Sequence, residues 1–290
     1  MQLSEYQAEA RRTDQTPDAD LKGVLVPLLG LAGEVGSLLV EYKKHLRDGE
    51  AHRLFRDQIG EDLGDLLWYV ANVATKLGLD LDRIAEDNLA KTQDRWGDRK
   101  NDGLGLFDEG RPSAEQLPRH FEIRIVQIVE DGRAKVKCWW GELQVGDHLT
   151  DNAYEDDGYR FHDVFHFAYA AILGWSPILR RHTRRRRVSD PVLNEVEDGG
   201  RAKVIEEAVS ALIYDYAKKH AYLEDVRSLD YPLLKTVRAL VADREVSARS
   251  LGEWERAILA GFEVWRKVRS NCGGIVIGDL NQRTLTYRQL

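Results

Sequence analysis

The sequence predicts a mainly α protein in two parts: an all-α helical bundle over residues 1–98 and an α+β part with β-hairpins over 119–290. Three observations predict it. Residues 1–98 carry helical periodicity and very few strand signals. A stretch with Gly and Pro but no period follows at 99–118 and reads as a linker. Beyond it, alternation of apolar and polar residues begins at Phe121.

In the first part a short amphipathic segment runs over 3–12. A long periodic segment over 21–47 stops at Asp48-Gly49 and tolerates Pro27 near its start. A third segment covers 51–77 and stops at Gly78; Asp80 then caps a fourth, which reaches Trp96. Four helices with short connections form a bundle. In the second part, residues 121–129 and 134–140 flank a turn at 130–133 and form a hairpin. Helical period resumes from Phe161 to Gly174. Further helices are expected at about 200–220, 231–243 and 250–269, and a last hairpin at 274–287.

Composition bounds the function. The chain has 290 residues, enough for two domains, and 43% of them are hydrophobic, which permits a core and argues against disorder. A net charge of -7 argues against a protein that coats nucleic acid with its whole surface. Cys138 and Cys272 have neither metal-type spacing nor the numbers of a disulfide framework, which fits a reducing cytosol. The start of the chain lacks the basic-then-apolar pattern of a signal peptide. No apolar run approaches the roughly 18 residues that span a membrane. A soluble cytoplasmic protein is expected.

Chemistry in the first part rests on acids. The second helix places Glu34, Glu41 and Lys44 along one stripe; the third places Glu61 or Asp62 on a face with Asp65, Tyr69 and Asn72. Any one of these acids could belong to a solvated face. As a group they stand inside runs of Gly, Leu and Trp, where like charges are costly unless a hard cation relieves them. Mg²⁺ takes oxygen ligands and keeps substrate phosphates in its shell. Gly33, Gly36 and Gly64 cost roughly 1 kcal/mol each inside helices, and such small residues let helices or a ligand approach.

GLAGEVG at 30–36, EDLGDLLWY at 61–69 and LDRIAEDNLAKTQDRW at 81–96, with LSEYQAEARRT at 3–13, together resemble the MazG-like all-α nucleoside triphosphate pyrophosphohydrolases. The resemblance covers residues 3–97. It implies Mg²⁺-dependent cleavage (Mn²⁺ being the alternative ion) between the α and β phosphates of an NTP or dNTP. The family's metal pattern, ExxE followed by ExxD, puts Glu34 first and Asp65 last. Ser37 stands where the second Glu is expected, and Asp62, with Glu61 beside it, where the third acid is expected. Glu41, one turn beyond Ser37, is the candidate replacement. By resemblance the metal set is Glu34, Glu41, Glu61, Asp62 and Asp65, with Glu34, Asp62 and Asp65 catalytic. Asn88, Lys91 and Arg95, with Lys44 and Asn72, are the candidate substrate contacts. The resemblance also implies a homodimer or homotetramer and a role in nucleotide-pool control, by house-cleaning or by nucleotide depletion against phage. The departures leave open a regulatory module that binds nucleotide through a weakened metal site.

The second part offers three features. His162 and His166 lie one helical turn apart in HDxxH and could share a metal, with Glu206 or Glu207 as third ligand. The alternative is a structural or phosphate-facing pair. Residues 180–187 hold six Arg in eight positions, suited to phosphates or nucleic acid, or to a solvated loop. The acidic turn at 195–201 is explained by loop and capping chemistry.

Overall fold

A computed structural model describes residues 1–16, 19–96, 105–130 and 132–290. The chain divides into two compact units, Met1–Gln93 and Asp94–Leu290. Helices predominate, and the strands all lie in the second unit, so the chain is mainly α.

The helices of the first part are α1 (Leu3–Arg12), α2 (Leu21–Asp48), α3 (Phe55–Lys76) and α4 (Leu81–Trp96). Local chemistry sets their ends. Asp20 Oδ1 accepts the Gly23 amide at 2.7 Å and caps α2. Gly49 and Gly78, both at positive φ, close α2 and α3. Asp80 Oδ1 accepts the Arg83 amide at 2.9 Å and starts α4. α2 and α3 pack along one another, and α1 lies on α3. Gln7 fastens α1 to the α3–α4 junction, donating to the Leu79 carbonyl at 2.8 Å and accepting the Leu81 amide at 2.9 Å. The buried core is small: Ala10, Ala71, Ala74 and Leu81, with Leu3, Tyr6 and Trp68 packed against it.

α2 corrects one expectation. By length and composition alone it is long and apolar enough to cross a membrane. Within its most apolar 18-residue stretch, Leu, Val, Gly and Ala outweigh the few charged side chains. Leu29, Leu39 and Leu46 are 63%, 63% and 70% exposed, so the first unit leaves much of this apolar surface uncovered.

The helix glycines also divide differently from the expectation. Gly30 is the one that allows close approach: a Cβ there would sit 2.3 Å from the Tyr69 ring. At Gly33, Gly36 and Gly64 an added Cβ meets nothing within 4 Å. Gly64→Ala is therefore expected to raise stability by about 1 kcal/mol through helix propensity. Gly30→Ala should lower it by roughly 1–3 kcal/mol through overpacking. Thermal unfolding of the two variants reads both signs.

In the second unit β1 (His120–Glu130), β2 (Arg133–Trp140), β3 (Leu143–Leu149), β4 (Gly273–Asp279) and β5 (Thr284–Arg288) form one antiparallel sheet in the order β3-β2-β1-β4-β5. Period-two alternation turns Phe121, Ile123 and Ile125 of β1 inward, beside Cys138 across the pair with β2 and Val276 across the pair with β4. Helices α5 (Asp163–Ala168) and α10 (Leu251–Ser270), with a π-helical turn at Tyr169–Leu173, cover that face. Around them stand α6 (Pro177–His182), α7 (Pro191–Val196), α8 (Gly200–Lys218) and α9 (Tyr231–Leu240). The core is continuous, with Trp175, Trp254 and Trp265 fully buried.

The expected linker is partly corrected. Its first residues, 99–104, lie outside the described residues. Residues 105–118 are built into the second unit, where Asp108 and Leu117 are each 1% exposed. Asp108 accepts the Leu117 amide and the Arg180 guanidinium, both at 2.7 Å, and pairs with Arg119 at 2.7 Å. Burial alone would raise this carboxyl, but Arg119 and Arg180 outweigh it and hold it below the usual carboxylate range. A depressed carboxyl contributes stability that is present above its unfolded value, near ~4, and is lost as pH falls through its folded value. Acid unfolding below about pH 4 should therefore be less steep in Asp108→Asn than in the unaltered chain.

Candidate functional site

The acids of the first unit occupy α2 and α3. Glu34 is half-buried on α2, Asp62 half-buried on α3, and Glu61 and Asp65 are exposed. Glu41 is buried, pairs with Lys44 one turn on, and lies 3.3 Å from His52 Nε2. One carboxylate oxygen of Asp62 is buried without a hydrogen-bond partner, whereas the buried Oε2 of Glu41 is the atom that faces His52. Buried acceptors in that state are costly, and a hard cation satisfies them. The oxygen-donor set therefore fits Mg²⁺. The five acids do not include a triad of ligand atoms within 4.8 Å of one another.

The expected substrate contacts separate into groups. Asn88 and Lys91 are exposed on α4. Lys44 is engaged by Glu41. Asn72 is 1% exposed, donates to the Trp68 carbonyl at 3.0 Å and leaves its Oδ1 without a hydrogen-bond partner. Arg95, at the end of α4, falls in the second unit and donates to the Leu229 carbonyl at 2.5 Å. Trp68 donates its indole N–H to Thr13 at 2.8 Å and packs on the core, so it is structural.

The second unit holds a converged cluster. His162, just before α5, and His166 within it face Glu207 of α8. Single ligand atoms of the three lie within 4.8 Å of one another. Both histidines are buried; Glu207 is about half-exposed. The open choice between Glu206 and Glu207 is resolved by helical phase. Glu207 approaches His162 Nε2 at 3.8 Å and His166 Nε2 at 3.6 Å. Glu206, turned to the interior, accepts His166 Nδ1 at 2.9 Å, Ser176 Oγ at 2.6 Å and the Ile178 amide at 2.9 Å. Burial by itself would lower the His166 pKa, but Glu206 and Glu207 outweigh it and raise it to about 10. The same contacts hold the Glu207 carboxyl below its ordinary range against the opposing effect of burial.

These geometries can be set against known proteins. The MazG C-terminal domain model matches residues 102–290. The chain belongs to that family. A curated relative, the Gene 37 protein of Mycobacterium phage L5, is 36% identical over 101 residues, which is 33% of this chain and 89% of the relative. No solved structure matches. Membership of a MazG-like family links the chain to hydrolase chemistry and to dependence on a metal ion.

Within the matched region the arginine run departs from its expected exposure. Arg180 and Arg187 are 1% and 0% exposed. Arg187 binds Asp198 at 2.8 Å and Glu245 at 2.7 Å. Arg185 donates to the Ser113 and Gln116 carbonyls, both at 2.8 Å, and Arg186 to the Asn194 carbonyl at 2.9 Å. The run therefore does not offer six guanidiniums to a nucleic acid. Arg181, Arg184 and Arg186 still line a cavity beside His182.

Sequence reasoning missed Tyr159, whose ring stacks on His162 with centroids 4.4 Å apart, and Ser176, which both caps α6 and binds Glu206. Ser176-Pro177 is a helix-start signal, but its second role depends on a contact 30 residues away.

Proposed function

We propose that the chain is a Mg²⁺-dependent nucleoside triphosphate pyrophosphohydrolase that converts an NTP or dNTP to the monophosphate and pyrophosphate. The observation that carries this reading is the acidic face of α2 and α3, with a buried, unpartnered carboxylate oxygen on Asp62. Family membership supports it independently.

Glu34, Asp62 and Asp65, with Glu61 beside them, would hold Mg²⁺. When bound, Mg²⁺ offsets phosphate charge and lowers the pKa of a coordinated water. A side-chain oxygen of Glu34, Asp62 or Asp65 would accept the proton given up by an attacking water. The Lys91 ammonium and the Asn88 amide stabilise the charge that moves onto departing pyrophosphate. The role is control of a nucleotide pool, by house-cleaning or by depletion during phage infection.

A panel of NTPs and dNTPs with Mg²⁺ should release pyrophosphate, and chelation should stop it. Release of orthophosphate alone, or no turnover across the panel, would overturn the reading. The engagement of Glu41 by Lys44 and His52 favours a second reading, nucleotide binding without hydrolysis. Tight equilibrium binding with no pyrophosphate would select it. The uncovered apolar surface of α2 supports a homodimer or homotetramer, so light scattering should give a mass at least twice that of one chain.

A further inference from the structure

We infer that His162, His166 and Glu207 form a second metal site, for one first-row divalent cation of the zinc class. It belongs to the second unit and is built from different donors than the acids of the first. Two imidazoles and one carboxylate suit zinc and its neighbours, whereas Mg²⁺ prefers oxygen alone.

Hydrogen bonding fixes which atoms point to the ion. His162 Nδ1 meets the Tyr159 carbonyl at 2.9 Å. A carbonyl has no proton, so that nitrogen carries the hydrogen, and in the neutral ring the lone pair lies on Nε2. His166 Nδ1 meets Glu206 Oε1, which also accepts Ser176 Oγ, while Oε2 accepts the Ile178 amide. With Nδ1 turned to Glu206, the other ring nitrogen of His166 is the one left for an ion. His166 Nε2 is left buried without a hydrogen-bond partner and faces Glu207 at 3.6 Å.

This is the arrangement in which a carboxylate orients a metal-binding histidine through its far nitrogen. Glu206 is the positioning residue and Glu207 the ligand. The helical spacing of four residues sets both imidazoles on one face of α5, and α8 brings the carboxylate across to them. Three protein ligands leave further positions on the ion for water or an anionic ligand.

The test uses the full chain carrying Glu34→Gln and Asp65→Asn, stripped by chelator, so that the acidic face does not contribute. Zn²⁺ is titrated by calorimetry in excess Mg²⁺, and Co²⁺ by visible absorption. One equivalent of Zn²⁺ should bind, with a Co²⁺ spectrum of low coordination number. Glu207→Gln, at a half-exposed side chain, should keep the fold by circular dichroism and weaken Zn²⁺ binding at least about 10-fold. Glu206→Gln should weaken it roughly 10- to 100-fold. No bound equivalent, or unchanged binding in folded Glu207→Gln, would overturn the site. Pyrophosphate release by the unaltered chain reads the other proposal, so either can fail alone.

Discussion

Glu34→Gln or Asp65→Asn is expected to lower pyrophosphate release by at least roughly 100- to 1,000-fold, the scale seen when one electrostatic contact to a reacting centre is removed. That loss corresponds to about 3–4 kcal/mol of barrier. Each change keeps side-chain shape and removes one negative charge. Asp65 is exposed and Glu34 half-buried, so stability should move by no more than about 0.5 kcal/mol. Steady-state kinetics beside thermal unfolding separates the two effects. A parallel loss of folding would mean that these acids serve structure and not chemistry.

Arg187→Ala should produce the largest loss of stability in the second unit. Arg187 is wholly buried and neutralises both Asp198 and Glu245. Burial alone would lower its pKa; the two carboxylates outweigh that and raise it above the ordinary arginine value. Truncation leaves Asp198, itself fully buried, without its main partner. Removing one member of a buried ion pair costs about 3–5 kcal/mol. In a unit of this size that lowers the thermal midpoint by roughly 10 °C. Arg187→Lys should recover only part of it, because a lysine cannot bind two carboxylates in a planar fork. Arg184→Ala, at an exposed position of the same run, should change stability by less than about 0.5 kcal/mol.

The contrast between Arg184 and Arg187 shows where sequence reading ends. Helices were legible because caps and periodicity are local: Asp80, Gly49 and Gly78 act within a few residues. The β1–β2 and β4–β5 hairpins were legible for the same reason. β3 was not, because Gly146 interrupts its short alternation and only pairing with β2 makes it a strand. The arginine run reads as solvated charge because the partners that bury it are distant, Asp108 by 72 residues and Glu245 by 58.

The candidate sites follow the same division. HDxxH was visible as a spacing, yet adjacent Glu206 and Glu207 could be told apart only once the phase of α8 was fixed. On the acidic face Glu41 was named as a stand-in for the ligand missing at Ser37. Its contacts with Lys44 and His52 instead tie it into the bundle. Arg95 shared a helical phase with Asn88 and Lys91, but phase alone did not reveal its bond to Leu229.

The central claim is that this chain splits a nucleoside triphosphate between its α and β phosphates. The ³¹P NMR spectrum of a triphosphate incubated with the full chain and Mg²⁺ tests it most directly. Resonances of monophosphate and pyrophosphate growing in equal amounts are predicted. Diphosphate with orthophosphate, or a triphosphate spectrum that stays unchanged across the panel, would contradict it.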